Sequence, residues 1–478
     1  MTETVCIRGA AWAAVWDAGR GGHVYARDVD VAFRDGAIVH VGPNYAGPCD
    51  REVGGRRRFV MPGLINLHAH PCTELASKGI REDHGVPEQY MTGLYERMLA
   101  FRVDADGQRA GQEAAYAEAL QCGITTLADL SGGFDGWTDT QARSGLRVYA
   151  APAFASARWR MERRHELLFD WDEKAGEAGF ERAVALIEEA EGKAGDRVKG
   201  MVFPAQIETV TPGLFRKAKA YADQTGRLIT THISQSVVEF NEIVKRHGVS
   251  PVQFGHALGL LGPSTILGHC MFIDEHSAIR WHSRADLDLL AATGTSVAHC
   301  PAPFARYGER MEDIGRYAAH GVNVGMGTDV APHNLLEEMR LAIILARGHR
   351  RHMDAADSTL LFNAATIAGA KALGRDDIGR LAPGAKADIV LVDLDCDDMR
   401  PLRDPIRTLI FTAVDRAVAE VFVDGRQVVA DRKCITLDRT NALARLEAAQ
   451  QRMVGNVPQF DFLHRTAEQI APLTLPLA

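Results

Sequence analysis

Six titratable side chains fall in or at the ends of apolar, strand-like runs. His68 and His70 close FVMPGLINLHAH, His232 stands in RLITTHIS, His269 in STILGHC, His299 in TSVAHC and Asp329 in VNVGMGTD. Neutral imidazoles suit zinc and other first-row divalent metals, and a carboxylate adds negative charge to such a site. His68 and His70 are two apart, and the period of a strand puts both on one face. Three histidines and one aspartate around an ion leave a position for water. That water's pKa falls to near ~7, which makes hydroxide available as a nucleophile. Each signal alone is weak: a histidine at a strand end is commonly just hydrogen-bonded, and Gly-Thr-Asp also reads as a turn or helix N-cap. The conjunction carries the metal reading.

Convergence of these groups requires a particular scaffold. With GITTLADL, LRVYAAPAF and VKGMVFPA added, eight strand-like runs alternate with helical stretches. That is the pattern of a (β/α)8 TIM-like barrel, placed at residues 61–380, whose strands all open at one end where active sites are built. Both flanks are strand-rich. VDVAFRDGAIVHVG carries Asp35-Gly36 and AVAEVFVDGRQVVA carries Asp424-Gly425, two hairpin signals, and ADIVLVDL is a further strand. The simplest assembly is one small β-sandwich domain made of residues 1–60 and 381–437. Residues 438–478 form a C-terminal helical tail, helical to about 454 and irregular beyond. Residues 156–180 read as an insertion or long helix after the third strand, and EQYMTGLYERML as a lid or pocket helix.

Composition narrows the class. The chain has 478 residues, 46% hydrophobic and 24% charged, with a net charge of −8. This is ordinary for a globular protein and large enough for a barrel plus a second module. The basic clusters, such as Arg56-Arg57-Arg58, are short and interrupted, which argues for solvated faces and against nucleic acid. No basic and apolar leader opens the chain, and no stretch of about 18 apolar residues spans a membrane. Eight scattered cysteines without a CxxC pair read as reduced thiols of a cytoplasmic protein. Cys72, Cys270 and Cys300, beside motif histidines, read as small buried residues.

The stretches VMPGLINLHAH, THIS, LGHC, VAHCP and VGMGTD occur in that order, followed by NAATIAGAKALG and IGRLAPGAKADIVLVD. This series resembles the amidohydrolase superfamily over nearly the whole chain, in the branch of cytosine and guanine deaminases and triazine hydrolases. The resemblance implies that His68, His70, His232 and Asp329 hold one divalent metal. Zinc is the expectation, and iron, manganese or cobalt would accept the same ligands. It implies that His269 hydrogen-bonds the nucleophile or substrate oxygen, that Asp329 moves the proton, and that His299 lines the pocket or stands behind it. A small-molecule substrate and a homo-oligomer are implied as well.

The departures from that pattern concern substrate. Deaminases of this branch carry glutamate three residues after the fifth-strand histidine; here Gln235 stands there, and glutamine cannot do general acid–base work. Glu239 lies a helical turn further on, with a longer reach. The segment around Gln206 lacks the histidine often found after the fourth strand. Ala302 to Ala305, with Phe304, replaces a polar Ser-Asn. His333, in APHNLLEEMRLA, sits near the mouth as a substrate contact or a capping residue. These features resemble the phenylurea and thiocarbamate hydrolases. The expected reaction is therefore cleavage of a C–N bond in an amide, urea, carbamate or thiocarbamate, with Gln206, Gln235, His299, Phe304 and His333 as substrate contacts. The alternative is an aminohydrolase of a nucleobase or triazine. A barrel that has lost its chemistry has no reason to keep four ligands in register.

Overall fold

The computed structural model describes residues 3–80, 93–164 and 166–478. Eight strands build the central sheet: β1 (Leu64–Ala69), β2 (Ile124–Ser131), β3 (Arg147–Phe154), β4 (Val198–Pro204), β5 (Leu228–Ile233), β6 (Thr265–His269), β7 (Ser296–His299) and β8 (Asn323–Met326). They pair in chain order and in parallel. The barrel closes where β8 meets β1. There the His68 carbonyl accepts the N–H groups of Thr328 (3.0 Å) and Asp329 (2.8 Å), and Ala69 bridges Asp329. Closure thus runs through the residues expected to bind metal.

Strand periodicity sorts the side chains. Ile65, Leu67, Ala128, Leu130, Tyr149, Ala151, Met201, Phe203, Ile266 and Ala298 form the cluster inside the barrel. Their neighbours Leu64, Leu127, Val148, Val202, Leu267 and Val297 join the larger core under the helices. Both faces are covered, as a parallel sheet requires. The crossovers carry standard signals. In the helix Pro212–Thr225 the Thr211 hydroxyl accepts from the Leu214 N–H, proline occupies the first turn, and Gly226 ends it in the left-handed conformation (φ 66°).

Three expectations change in detail. The run FVMPGLINLHAH is two strands. Arg58–Pro62 pairs antiparallel with Ile389–Asp393 in the β-domain, and β1 begins after Gly63. A Cβ at Gly63 would lie 2.0 Å from Thr125 Oγ1, so the chain turns there only without a side chain. Residues 156–180 are not one long helix but an inserted hairpin and the start of a helix: Ala157–Arg163 pairs with Glu166–Trp171, and the helix Glu173–Ala194 starts after the N-cap Asp172. Aromatic and apolar residues spaced along ARWRMER and ELLFDW favour a strand pair. The C-terminal helix continues from Arg439 to Phe460, past 454, because Met453 and Val457 keep its buried stripe going.

The β-rich domain draws on both chain ends. A seven-stranded sheet interleaves Trp12–Asp17, Gly22–Ala26 and Arg58–Pro62 with Ile389–Asp393, Val418–Val423, Arg426–Ala430 and Lys433–Cys434. A four-stranded sheet uses Thr4–Ala10, Val29–Arg34, Ala37–Gly42 and Arg51–Gly54. Their shared core includes Ile7, Val31, Val60, Leu391 and an edge-on Phe33–Phe422 pair (5.2 Å). Both Asp-Gly turns adopt positive φ, with Gly36 at 74° and Gly425 at 76°, and they touch: a Cβ on Gly425 would meet the Gly36 Cα at 3.2 Å. The two hairpins, nearly 400 positions apart, therefore pack turn against turn. No helix among the described residues is long and apolar enough to cross a membrane, and all eight cysteines are free.

Candidate metal and active site

At the open end of the barrel, His68, His70, His232 and Asp329 offer four ligand atoms within 4.8 Å of one another. Asp329 Oδ1 lies 3.3 Å from His68 Nε2 and 3.2 Å from His70 Nε2, and the Nε2 atoms of His70 and His232 are 3.2 Å apart. His269 Nε2 stands 4.0 Å from the same carboxylate oxygen. His70 Nδ1 donates to the Leu130 carbonyl (2.7 Å) and His232 Nδ1 to the Ala205 carbonyl (2.6 Å). A carbonyl can only accept, so in both rings the Nε2 lone pair points into the cluster. This is the orientation metal-bound histidines take. Both ring nitrogens of His68 are buried without a hydrogen-bond partner among the described residues. Burial holds His68 below the usual imidazole range, and holds His232 and His269 well below it. Burial alone would push the Asp329 carboxyl up, but the surrounding imidazoles hold it well below the carboxylate range. Neutral histidines and an ionised aspartate are ligands ready for a divalent cation, and the donor set fits zinc.

The backbone departs from regular strand geometry to achieve this. Pairing of β1 with β2 slips between Asn66 and Ala69. His68 can then share the interior with Leu67, its immediate neighbour. His269 has the parity of the outward Leu267, yet its ring lies 4.7 Å from His68 because its φ is +80°. Asp329 stands three residues beyond β8 with φ +57°, and Ser234 after β5 has φ +56°. Such conformations cost ~1–3 kcal/mol each and collect at functional sites. Gly268 makes room for the metal end: a Cβ there would lie 2.6 Å from His68 Cε1.

Buried polar groups fix the ligands from behind. Asp129 accepts from Tyr116 Oη (2.5 Å), Trp137 Nε1 (2.9 Å), Gln112 Nε2 (3.2 Å) and the Ser131 hydroxyl. Burial raises its carboxyl in spite of these donors. The network anchors β2 next to Leu130, whose carbonyl orients His70. Asn66 Nδ2 donates to Thr328 Oγ1 (2.8 Å), which is 2.9 Å from His333 Nδ1.

A narrow cavity opens over the cluster. Its wall contains His70, His232, His269, Asp329, Gln206, Gln235 and Phe304, with Leu94, Met98, Trp159, Tyr307, Arg97 and Arg306. Phe304 stands edge-on to His269 at 4.5 Å. His299 and His333 are buried but are not in this wall: His299 follows the outward Val297, and His333 is held by Thr328 and by Glu118, which accepts its N–H (3.0 Å). The helix Gly93–Ala100 supplies Leu94, Arg97 and Met98; the first part of the expected pocket helix, residues 88–92, lies outside the described residues. Trp159, Arg306 and Tyr307 escaped sequence reading, while Arg97 was marked only as part of the expected pocket helix. Trp159 sits on the hairpin, within the residues read as an insertion or long helix, and Arg306 follows HCPAPFA with nothing local to mark it. Glu239 stays behind the wall, its carboxylate accepting the N–H groups of Ser234 (2.6 Å) and Gln235 (2.8 Å). A larger, open hollow bordered by Glu118, Asp393, Asp415 and Arg439 contains none of the cluster.

Comparison with known proteins agrees with this architecture. Residues 59–428 match the model of the amidohydrolase family. The chain is 28% identical over 408 residues to a 5-methylthioadenosine/S-adenosylhomocysteine deaminase of Thermococcus onnurineus, covering 84% of this chain and 90% of that one. It is 27% identical over 430 residues to a 5'-deoxyadenosine deaminase of Methanothermobacter thermautotrophicus, covering 89% and 95%. Its fold is similar to that of a zinc-bound adenosine deaminase from Xanthomonas campestris (TM-score 0.79, 24% identity, 94% and 98% covered). It is similar also to the atrazine chlorohydrolase of Arthrobacter aurescens in complex with zinc (TM-score 0.80, 24% identity, 93% and 100% covered). With most of the chain inside the family match and a three-histidine, one-aspartate cluster at the barrel mouth, the protein belongs to the amidohydrolase family, as a metal-dependent hydrolase of carbon–nitrogen bonds other than peptide bonds.

Proposed function

We propose that this chain is a zinc-dependent aminohydrolase of a heterocycle, with an adenosine-type purine nucleoside as its substrate class. The observation that carries the reading is the cluster of His68, His70, His232 and Asp329 at the floor of a cavity walled by aromatic, apolar, carboxamide and arginine side chains. Such a wall suits a flat ring with polar edges. The deaminase names of the relatives support the same choice over the urea, carbamate or thiocarbamate cleavage expected from the sequence.

In this reading one zinc ion is held by His68, His70, His232 and Asp329. When bound, the ion acidifies a water and polarises the carbon under attack. Asp329 takes the proton that this water loses. His269, neutral and beside Asp329, hydrogen-bonds the developing oxygen. Gln206 and Gln235 hold the ring edge, and Phe304 packs on His269. Water is consumed, and an amino group is replaced by oxygen.

Gln235 favours a second reading, hydrolysis of a urea or carbamate, because a carbonyl substrate needs no proton on a ring nitrogen. The test is ammonia release from adenosine and 5'-deoxyadenosine, beside a phenylurea and a thiocarbamate, with zinc counted per chain. Asp329→Asn should abolish turnover of whichever compounds react. Turnover confined to the urea or thiocarbamate would replace the first reading by the second.

A further inference from the structure

We propose that Cys6 and Cys49 form an oxidisable dithiol, which a low-molecular-weight disulfide such as oxidised glutathione converts into a disulfide clasp on the strand Thr4–Ala10. The inference stands apart from the barrel mouth and does not depend on the substrate reading above.

The loop that precedes Arg51–Gly54 runs along Thr4–Ala10 in the opposite direction. Arg8 Nη1 donates to the Tyr45 carbonyl (2.6 Å), the Cys6 thiol to the Pro48 carbonyl (3.8 Å) and the Asp50 N–H to the Thr4 carbonyl (2.9 Å), while Asp50 Oδ2 accepts the Thr4 N–H (2.8 Å). From Arg8 through Cys6 to Thr4, the strand is thus met in turn by Tyr45, Pro48 and Asp50. Cys49 is held between two residues pinned beside Cys6 and Thr4, and its thiol stands within hydrogen-bonding reach of the Cys6 thiol. The chain then turns back, and Arg51–Gly54 pairs in parallel with residues 5–8 as the edge strand of the four-stranded sheet.

The two thiols differ in access, which orders the chemistry. Cys6 is fully buried and Cys49 half-buried, so a reagent in solution meets Cys49 first. Burial, reinforced by the neighbouring Cys49, pushes the Cys6 thiol up to about 12, and the nearby Arg8 pulls the other way. Once Cys49 is capped, its own charge no longer opposes ionisation of Cys6. The remaining half-buried thiols lie against oxygen: Cys396 meets the Arg416 carbonyl at 3.8 Å and Cys434 the Thr436 hydroxyl at 3.5 Å.

The exchange balances in two steps. The Cys49 thiolate attacks one sulfur of oxidised glutathione, an S–S bond forms between them, and the first glutathione leaves as a thiolate. Cys6 then loses its proton and attacks Cys49 Sγ, which expels the second glutathione. Two protein thiols are oxidised, one disulfide is reduced to two thiols, and the two protons given up by Cys49 and Cys6 end on the released glutathiones. The new bond closes the chain from residue 6 to residue 49, which restricts the unfolded state and stabilises the folded one.

The test incubates the full-length, zinc-loaded protein with oxidised glutathione and counts free thiols after denaturation without reductant. The protein should lose two of its eight thiols. A proteolytic digest should contain one pair of peptides joined through Cys6 and Cys49, and dithiothreitol should separate them. The oxidised protein should melt at least about 2 °C above the reduced protein, and Cys49→Ser should show neither link nor shift. An unchanged thiol count, a glutathione that stays on Cys49 without passing to Cys6, or a link between other cysteines overturns the inference. A Cys6–Cys49 link that leaves Tm where it was overturns the clasp. If Cys49→Ser does not fold, Cys6→Ala serves instead: it should keep one glutathione on Cys49, and no uptake there would overturn the assignment of Cys49 as the attacking thiol.

Discussion

Replacing Gly268 by alanine should empty the metal site while leaving the barrel folded. The added Cβ would lie 2.6 Å from His68 Cε1, 3.0 Å from His68 Nδ1 and 3.5 Å from His232 Cδ2. Ordinary contact begins at 3.4 Å, so the His68 ring must retreat by about 0.8 Å. It has nowhere to go. His68 is fully buried, and on its other side Gly327 packs so closely that a Cβ there would be 2.8 Å from His68 Cβ. Metal ligands tolerate about 0.2 Å, so the displacement removes His68 from the ion's reach. Loss of a supporting partner alone weakens metal binding ~10–100-fold, and loss of a ligand should cost at least the upper end of that range. The strain on the strand itself is ~1–3 kcal/mol, within what a large barrel survives. The assay is a zinc competition titration against a chromophoric chelator, with circular dichroism melting of the same preparations. A folded variant whose zinc affinity stays within about threefold of native would refute the assignment of His68 as a ligand.

Other consequences can be measured independently of the substrate. Burial, reinforced by the nearby Arg380, lowers the His23 pKa from 6.5 to about 4. A depressed histidine contributes stability that is fully present above pH 6.5 and is lost as pH falls towards 4, here ~3 kcal/mol at most. His23→Gln should therefore flatten the fall in Tm between pH 7 and pH 4; an unchanged slope would place the acid sensitivity elsewhere. Arg147, 1% exposed, pairs through Nε and Nη2 with the 2% exposed Asp388 at 3.0 and 3.1 Å, joining β3 to the β-domain. Arg147→Met should cost ~3–5 kcal/mol in urea unfolding by stranding Asp388, and adding Asp388→Asn should recover part of it. A loss under ~1 kcal/mol for the single variant would show that the pair is solvated in solution.

Residue types and their periods, read from the chain alone, determined the scaffold. Eight apolar runs with a period of two, separated by helices with caps and glycine stops, admit few arrangements other than a closed parallel barrel. The two Asp-Gly turns announced the hairpins that join the chain ends. The six titratable groups at the strand ends were legible for the same reason, and the resemblance to the amidohydrolases singled out the four ligands among them; His299 ends a strand too, yet lies outside the cavity wall. Tertiary structure decided what periodicity cannot reach. His269 turns inward because its φ is positive, and His68 because β1 slips in register; strand parity alone would misplace either. His333 was expected at the mouth, but Thr328 and Glu118 hold it away from the cavity wall. Arg97 enters the wall from the stretch read as a pocket helix, whereas Trp159 and Arg306 enter it from a hairpin and a loop whose sequences show no mark of it. A wall is a property of distant segments brought together, and no local pattern in any one of them encodes which side chains the others will meet.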